Sequence, residues 1–207
     1  MSRGDAPQTG QHWRTAIIIL MAGDSVRMGF PKALAQVRGE PMLAHALAAA
    51  HGCAPEKIVV VLGAEHAAVR AAVDTGSAEV LVNGDHRLGM ASSLATGVRS
   101  LEAHFNRVAI LLGDQPNVNA VLVQRLLDLQ SGGGHDAAAV SCGGVVMAPA
   151  VISGSLIDIA SRAQGDVGLR HVLRAHPELV AVLDVDPVTV LDVDTPLDLA
   201  AAQAFSA

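Results

Sequence analysis

Apolar residues in this chain come in short unbroken runs, separated by stretches of mixed polarity at helical spacing. Residues 16–20 (A-I-I-I-L), 57–62 (K-I-V-V-V-L) and 107–112 (R-V-A-I-L-L) are continuous and rich in β-branched side chains, the pattern of strands buried on both faces. A shorter run at 79–82 reads the same way. Between these runs, residues 41–50, 65–73, 91–104 and 117–130 carry helical patterns. Pro41 opens the first, Gly89 precedes the third, and Gly132-Gly133-Gly134 closes the fourth. Strand and helix alternate, which predicts right-handed βαβ units on a mostly parallel sheet. The alternation loosens after residue 134. Short strands are expected at 136–141 and 145–148, helices at 155–163 and 167–176, strands at 179–183 and 188–193, and a last helix at 196–205. There is no internal repeat, and the glycine run is a loop, not a linker. Residues 15–207 therefore read as one α/β domain behind a disordered tail at 1–14.

Composition narrows the class. Of 207 residues, 51% are hydrophobic and only 2% aromatic, so a full core is available but must be packed from Ala, Val, Leu and Ile. The net charge of −6, with no basic stripe and few rings for stacking, disfavours a nucleic-acid partner. No apolar run reaches membrane-span length, and residues 1–14 lack the apolar stretch of a signal peptide. Cys53 and Cys142 fit neither a disulfide framework nor a metal spacing. A cytoplasmic protein with no membrane partner is the expectation. The nine histidines are scattered, and only His86 lies in a loop of interest.

Four stretches carry candidate chemistry. Residues 20–32 (L-M-A-G-D-S-V-R-M-G-F-P-K) follow the first buried strand directly, at the sheet edge where open α/β folds bind ligands. Gly23 and Gly29 let the backbone approach a ligand, and Arg27 and Lys32 add two mobile cations suited to phosphate oxygens. Neither the dinucleotide fingerprint nor the Walker pattern is present, and two solvated cations on a surface turn is the plainer reading. Residues 111–116 (L-L-G-D-Q-P) end another buried strand, so Asp114 should reach the same edge, where a carboxylate facing a triphosphate can hold Mg²⁺; a turn or helix-cap Asp is the alternative. Asp192 and Asp194, two apart on an expected strand, share a face. Either could supply a second metal ligand, with Asp194 preferred for its place nearer the strand end, although Asp194 or Thr195 could simply cap the helix starting at Pro196. Finally, residues 83–94 lead through Gly89 into a helix whose first turn carries Ser92 and Ser93, a polar edge for a ligand or an ordinary cap.

In order, these stretches resemble the MobA/MocA-like nucleotidyltransferases, which include molybdenum cofactor cytidylyltransferases and guanylyltransferases. The family pattern L-A-A-G-x-S-x-R-M-G-x-P-K is matched by residues 20–32, G-M-x-S-S-L by 89–94, L-G-D-Q-P by 112–116, and D-V-D-T-P-x-D-L by 192–199. The resemblance implies a three-layer α/β/α domain with a Rossmann-like, mostly parallel mixed sheet of the glycosyltransferase-A type. It implies a nucleotide site formed by Leu20, Met21, Ala22, Gly23, Arg27, Met28, Gly29, Lys32, Ser92 and Ser93, with Arg27, Lys32 and Asp114 catalytic and Mg²⁺ on Asp114 and Asp194. CTP or GTP would be the nucleotide. Ala22-Gly23 is similar to the cytidylyl form, although Met21 departs from it. A small-molecule cofactor such as molybdopterin would accept the nucleotide, and a molybdoenzyme would receive the product. Where relatives carry G-H-P ahead of the acceptor side, this chain has Met147-Ala148-Pro149, while G-D-x-G-x-R is kept at 165–170.

Three alternatives share the fold. Some relatives are NAD(P)H-dependent reductases, such as nicotine blue oxidoreductase, and a loop that cradles a triphosphate could cradle a dinucleotide. A non-catalytic cofactor-binding accessory protein could do without one of the two aspartates, which this chain keeps. A sugar-phosphate nucleotidyltransferase is usually longer and fits the 192–199 motif less well.

Overall fold

The computed structural model describes residues 12–25, 27–165 and 168–205. Strand β1 (Thr15–Met21) leads through a loop and a short two-stranded ribbon, β2 (Gln36–Val37) and β3 (Glu40–Pro41), into helix α1 (Met42–Gly52). There follow β4 (Lys57–Leu62), α2 (His66–Ala72), β5 (Glu79–Val82), α3 (Met90–Arg99), β6 (Arg107–Leu112), α4 (Ala120–Gly132), β7 (Ala137–Cys142), β8 (Val145–Ser153), α5 (Ser155–Ser161), α6 (Leu169–Ala175), β9 (Val180–Asp184) and α7 (Pro196–Ala204). Seven strands form one sheet in the order β5-β4-β1-β6-β8-β7-β9. β8 alone runs against its neighbours, antiparallel to both β6 and β7, so the sheet is mixed but mostly parallel.

The alternation of β1 sets the layers. Ile17 and Ile19 point into one core with Leu43, Leu47, Val69, Leu122 and Leu126 from α1, α2 and α4. Ile18 and Leu20 point into the other with Leu94, Val98, Leu156 and Val172 from α3, α5 and α6. Both faces are dry because period-2 side chains of a central strand meet helices on each side. Packing is close enough to need glycine: a Cβ on Gly97 of α3 would lie 2.7 Å from Ile18 Cγ2 and 3.2 Å from Val61 Cγ2. We expect Gly97→Ala to destabilise the protein by about 1–3 kcal/mol, the usual cost of overpacking, measured by urea unfolding.

Several boundaries differ from the sequence reading for visible reasons. α3 stops at Arg99, not 104, where Ser100 Oγ donates back to the Gly97 carbonyl. β8 continues through Pro149 to Ser153, because the pairing slips from Ala139↔Ala150 to Val140↔Met147, and a bulge tolerates a residue with no N–H. The strand expected at 188–193 does not form. Asp186 accepts from the Val188 N–H and starts a 3₁₀ turn at Pro187–Val190. The backbone of this turn and of the residues after it is satisfied by the loop after β6: Asn117 donates to the Val188 carbonyl, Gln115 to that of Val190, and Val193 N–H to the Asp114 carbonyl. The turn between β2 and β3 places both Arg38 (φ 49°) and Gly39 (φ 86°) in the left-handed region. Of the tail expected at 1–14, residues 1–11 lie outside the described residues. Arg14 is held, donating to Glu56 and, through its backbone, to Asn106. Among the described residues no helix is long and apolar enough to cross a membrane.

Candidate functional site: two carboxylates bridged by a lysine

The loop after β1 is shaped by its own hydrogen bonds. Met28 and Gly29 N–H groups donate to the Ser25 carbonyl, and Gly29 takes φ 74°, which a Cβ would resist. Ser25 Oγ receives the Lys32 backbone N–H at 2.8 Å and donates to Glu65 at 2.8 Å. Asp24 is tied across the loop to His86 at 3.0 Å and Arg87 at 3.3 Å. Pro31, at φ −53°, then starts the 3₁₀ turn Lys32–Leu34, which returns Lys32 toward the sheet edge.

Asp114 arrives from the neighbouring strand. The Gly113 N–H extends the β1–β6 ladder to the Leu20 carbonyl, and a Cβ on Gly113 would sit 2.6 Å from Met21 Sδ, so glycine lets β6 end flush against β1. Asp194 comes from the far end of the chain. The Val193–Asp114 backbone bond fixes it beside the strand end, while Thr195 and Asp198 form a capping box on α7. That box satisfies the helix end by itself, so the motif at 192–199 serves both readings: Thr195 caps and Asp194 faces the site. Asp192 does not share this face as a strand partner would; its Oδ1 accepts from Gln115 at 3.0 Å.

The centre of the arrangement is Lys32 Nζ, 2.6 Å from Asp114 Oδ2 and 2.8 Å from Asp194 Oδ1. Arg27 closes on the other Asp194 oxygen at 2.9 Å. Burial alone pulls the Lys32 ammonium down, but the charges and hydrogen bonds of Asp114 and Asp194 outweigh it and hold the group above the usual lysine value. The Lys32 hydrogen bond, against some burial and with help from Arg27, holds Asp194 below the usual carboxylate value. Burial and the neighbouring charge of Asp114 push Asp192 up.

These directions fix a pH dependence. Asp194 has a folded value below its ordinary one of about 3.9, so its contribution to stability is present above that pH and is lost as the pH falls through the lower, folded value. Asp192 has the opposite sign and partly offsets it. We therefore expect Asp194→Asn to flatten the acid limb of stability below about pH 4, read by urea midpoints from pH 7 to 2.5. Parallel acid limbs in the two proteins would contradict the Lys32–Asp194 pairing.

A cleft of about 270 Å³ opens on this edge. Of the residues expected to hold nucleotide, Leu20, Met21, Ala22, Gly23, Lys32 and Ser93 line it, together with Asp114. Arg27 lies outside the lining but reaches Asp194. Met28 is buried in a small core with Val37, Met42 and Val193 and positions the loop from beneath. Gly29 shapes the turn. Ser92 spends its hydroxyl on the Asp85 and Gly89 carbonyls while accepting from Asn83, which ties the preceding loop to the first turn of α3. His86, Gly89, Met90 and Leu112 also line the cleft; the last three lie inside the family motifs but carry no charge to single them out.

The site fits a divalent cation. Asp114 Oδ1 is buried and has no hydrogen-bond partner, an orphan acceptor beside a second carboxylate. Among the described residues no group of three or more His, Cys, Asp or Glu side chains is arranged to hold a metal. Two carboxylates suit Mg²⁺, which keeps waters and takes substrate phosphates as its other ligands.

Comparisons with known proteins give the chain relatives in sequence and in fold. The chain is 35% identical over 191 residues to nicotine blue oxidoreductase of Paenarthrobacter nicotinovorans, covering 86% of this chain and 91% of that one. It is 37% identical over 120 residues to the bifunctional protein GlmU of Ruegeria sp. (strain TM1040), which involves 56% of this chain but only 27% of that longer protein. The crystal structure of Rv0371c from Mycobacterium tuberculosis H37Rv superposes with a TM-score of 0.83 at 27% identity, over 93% of this chain and 98% of that one; a second structure of that protein is a complex with manganese, at a TM-score of 0.78 and 25% identity over 92% and 98%. Molybdopterin-guanine dinucleotide biosynthesis protein A of Archaeoglobus fulgidus shares the fold, with a TM-score of 0.65 at 20% identity over 91% and 96%. Residues 17–182 match the MobA-like NTP transferase domain, and the chain belongs to that family.

Proposed function

We propose that this chain transfers a nucleotidyl group, CMP in preference to GMP, from a nucleoside triphosphate to a phosphorylated small-molecule acceptor such as molybdopterin, releasing pyrophosphate. The observation that carries the reading is the Lys32 ammonium, in the lining of the cleft, set between Asp114 and Asp194. In the reaction, an acceptor phosphate oxygen forms a bond to the α-phosphorus. The bond from that phosphorus to the bridging oxygen breaks, and its electrons leave with pyrophosphate. Lys32 and Arg27 then carry the charge of the phosphates, and preorganised charges of this kind are worth about 10²–10³ in rate each. Mg²⁺ on Asp114 and Asp194, when bound, supplies further neutralisation of the triphosphate. The manganese complex of Rv0371c supports a divalent ion in this fold. The loop backbone at Met21–Gly23 and the Ser93 hydroxyl are the groups at hand for the base, and Ala22-Gly23 favours cytosine by the family likeness.

A second reading has its own support: the relative named nicotine blue oxidoreductase matches nearly the whole chain. On that reading the same cleft holds NAD(P)H and the chain reduces a quinone-type pigment. Thermal stability separates the two, because a ligand at 100 times its Kd adds about 2.7 kcal/mol. The transferase reading predicts that CTP with Mg²⁺ raises the melting temperature more than GTP with Mg²⁺, and that CTP alone does little. Stabilisation by NADPH without Mg²⁺, and none by CTP, would overturn it in favour of the reductase.

A further inference from the structure

A second cleft, of about 250 Å³, adjoins the first, and Met90 and Leu112 line both. Its remaining walls come from the antiparallel strand β8, the start of α6 and the segment before α7, through Met147, Leu169, Arg170 and Asp192. We propose that this second cleft receives a compact amphiphilic anion, its apolar body between Met90 and Met147 and its one charged oxygen group on Arg170. The proposal rests on the transferase reading only in making that molecule the acceptor.

Its chemistry follows from the lining. Arg170 is the one cation and Asp192 the one anion among the lining residues, and the other walls are apolar or glycine. Two polar side chains cannot satisfy a polyhydroxylated body such as a sugar, whose buried hydroxyls need partners. Unbranched thioethers shape themselves to a flat or irregular apolar group without requiring a ring to stack on. Asp192 and Arg170 form no ion pair among the described residues, and Gln115 Nε2 takes only Oδ1 of the aspartate. Among the described residues no carboxylate claims the Arg170 fork, which suits a ligand anion, while the Asp192 carboxylate repels a second one and accepts from a ligand hydrogen-bond donor instead.

The methionines report on the two clefts separately. Met21 lines only the first, Met147 only the second, and Met90 both. With ¹³C-methyl methionine in the full chain, we expect phenyl phosphate or benzoate to shift Met147 and Met90 saturably and to leave Met21 in place, the tighter of the two naming the head group. Inorganic phosphate at the same concentration should leave Met147 unmoved. Arg170→Ala, at an exposed position, should fold normally and weaken the aromatic anions about tenfold or more. The proposal is overturned if neither aromatic anion moves Met147, if inorganic phosphate moves it equally, or if Arg170→Ala binds as tightly as the parent. CTP with Mg²⁺ is followed in parallel at Met21: silence there, with Met147 responding to phenyl phosphate, removes the transferase reading but leaves the second cleft, and the reverse pattern removes the cleft alone.

Discussion

Asp114→Asn should cut nucleotidyl transfer by about 10²–10³-fold and leave the melting temperature within about 2 °C of the parent. The two halves of this outcome have different causes. The amide keeps the size of the carboxylate at the end of β6, and although the ion pair of Lys32 with Asp114 is lost, Lys32 retains Asp194 as its partner at 2.8 Å, so packing is kept and the ammonium stays paired. The parent also carries a buried, unpartnered Oδ1 at this position, which folding has to tolerate at a cost that an uncharged group reduces. The orphan oxygen is sensible only if something arrives to use it. An amide oxygen is a far weaker ligand for a hard divalent cation, so the cation's share in neutralising the triphosphate is lost when the chemistry occurs. Pyrophosphate release at saturating CTP and Mg²⁺, beside a thermal melt of the same preparation, reads both halves. A variant that turns over at the parental rate would remove Asp114 from the metal.

Lys32→Ala is expected to act in the reverse sense, weakening the fold and strengthening the hold on a bare cation. Lys32 Nζ is the group that lets Asp114 and Asp194 sit close together, and its side chain is only 12% exposed. Removing one partner of a fully buried pair costs about 3–5 kcal/mol; with Asp194 35% exposed the expected loss here is smaller, about 2 kcal/mol or roughly 5 °C. Millimolar Mg²⁺ or Mn²⁺ should restore much of that loss, since the cation takes the place between the carboxylates that the ammonium held. The parent, with the place filled, should gain little from metal alone. CTP affinity measured by calorimetry in Mg²⁺ should nonetheless fall in the variant, because the lysine's second task is to meet the phosphates. Unchanged CTP affinity would count against the loop as a phosphate site, and no rescue by metal would count against a shared place for ammonium and cation.

Much of this site could be read from the chain because its residues sit at the ends of strands that announce themselves. Runs such as 16–20 and 107–112 are buried on both faces, so they stand out as unbroken apolar stretches, and the loops that leave them must lie at one sheet edge. Lys32 and Asp114 meet there for that reason. The sequence is less transparent where tertiary bonds replace local ones. Residues 188–193 are rich in β-branched side chains, as a strand would be, yet their backbone is satisfied by Gln115, Asn117 and Asp114, which no local pattern reveals. Met28 looks like part of a ligand loop because its neighbours are, but it faces inward beneath that loop. Ser92 and Ser93 are equivalent in the motif, and only the helix geometry decides that one hydroxyl is consumed by the carbonyls of the preceding loop while the other lines the cleft. Asp192 and Asp194 share a face of the expected strand, with Asp194 preferred for its place nearer the end; the strand does not form, Gln115 claims Asp192, and Asp194 alone of the two meets Lys32.

The most direct test is diffraction from crystals grown with Mn²⁺ and a non-hydrolysable CTP analogue, with the metal located by its anomalous signal. The account predicts a peak bound by both Asp114 and Asp194, with Lys32 Nζ withdrawn from them onto the phosphates and the base in the cleft beside Met21–Gly23. A metal bound away from Asp114, or a triphosphate lying outside that cleft while Lys32 still bridges the two aspartates, would contradict it.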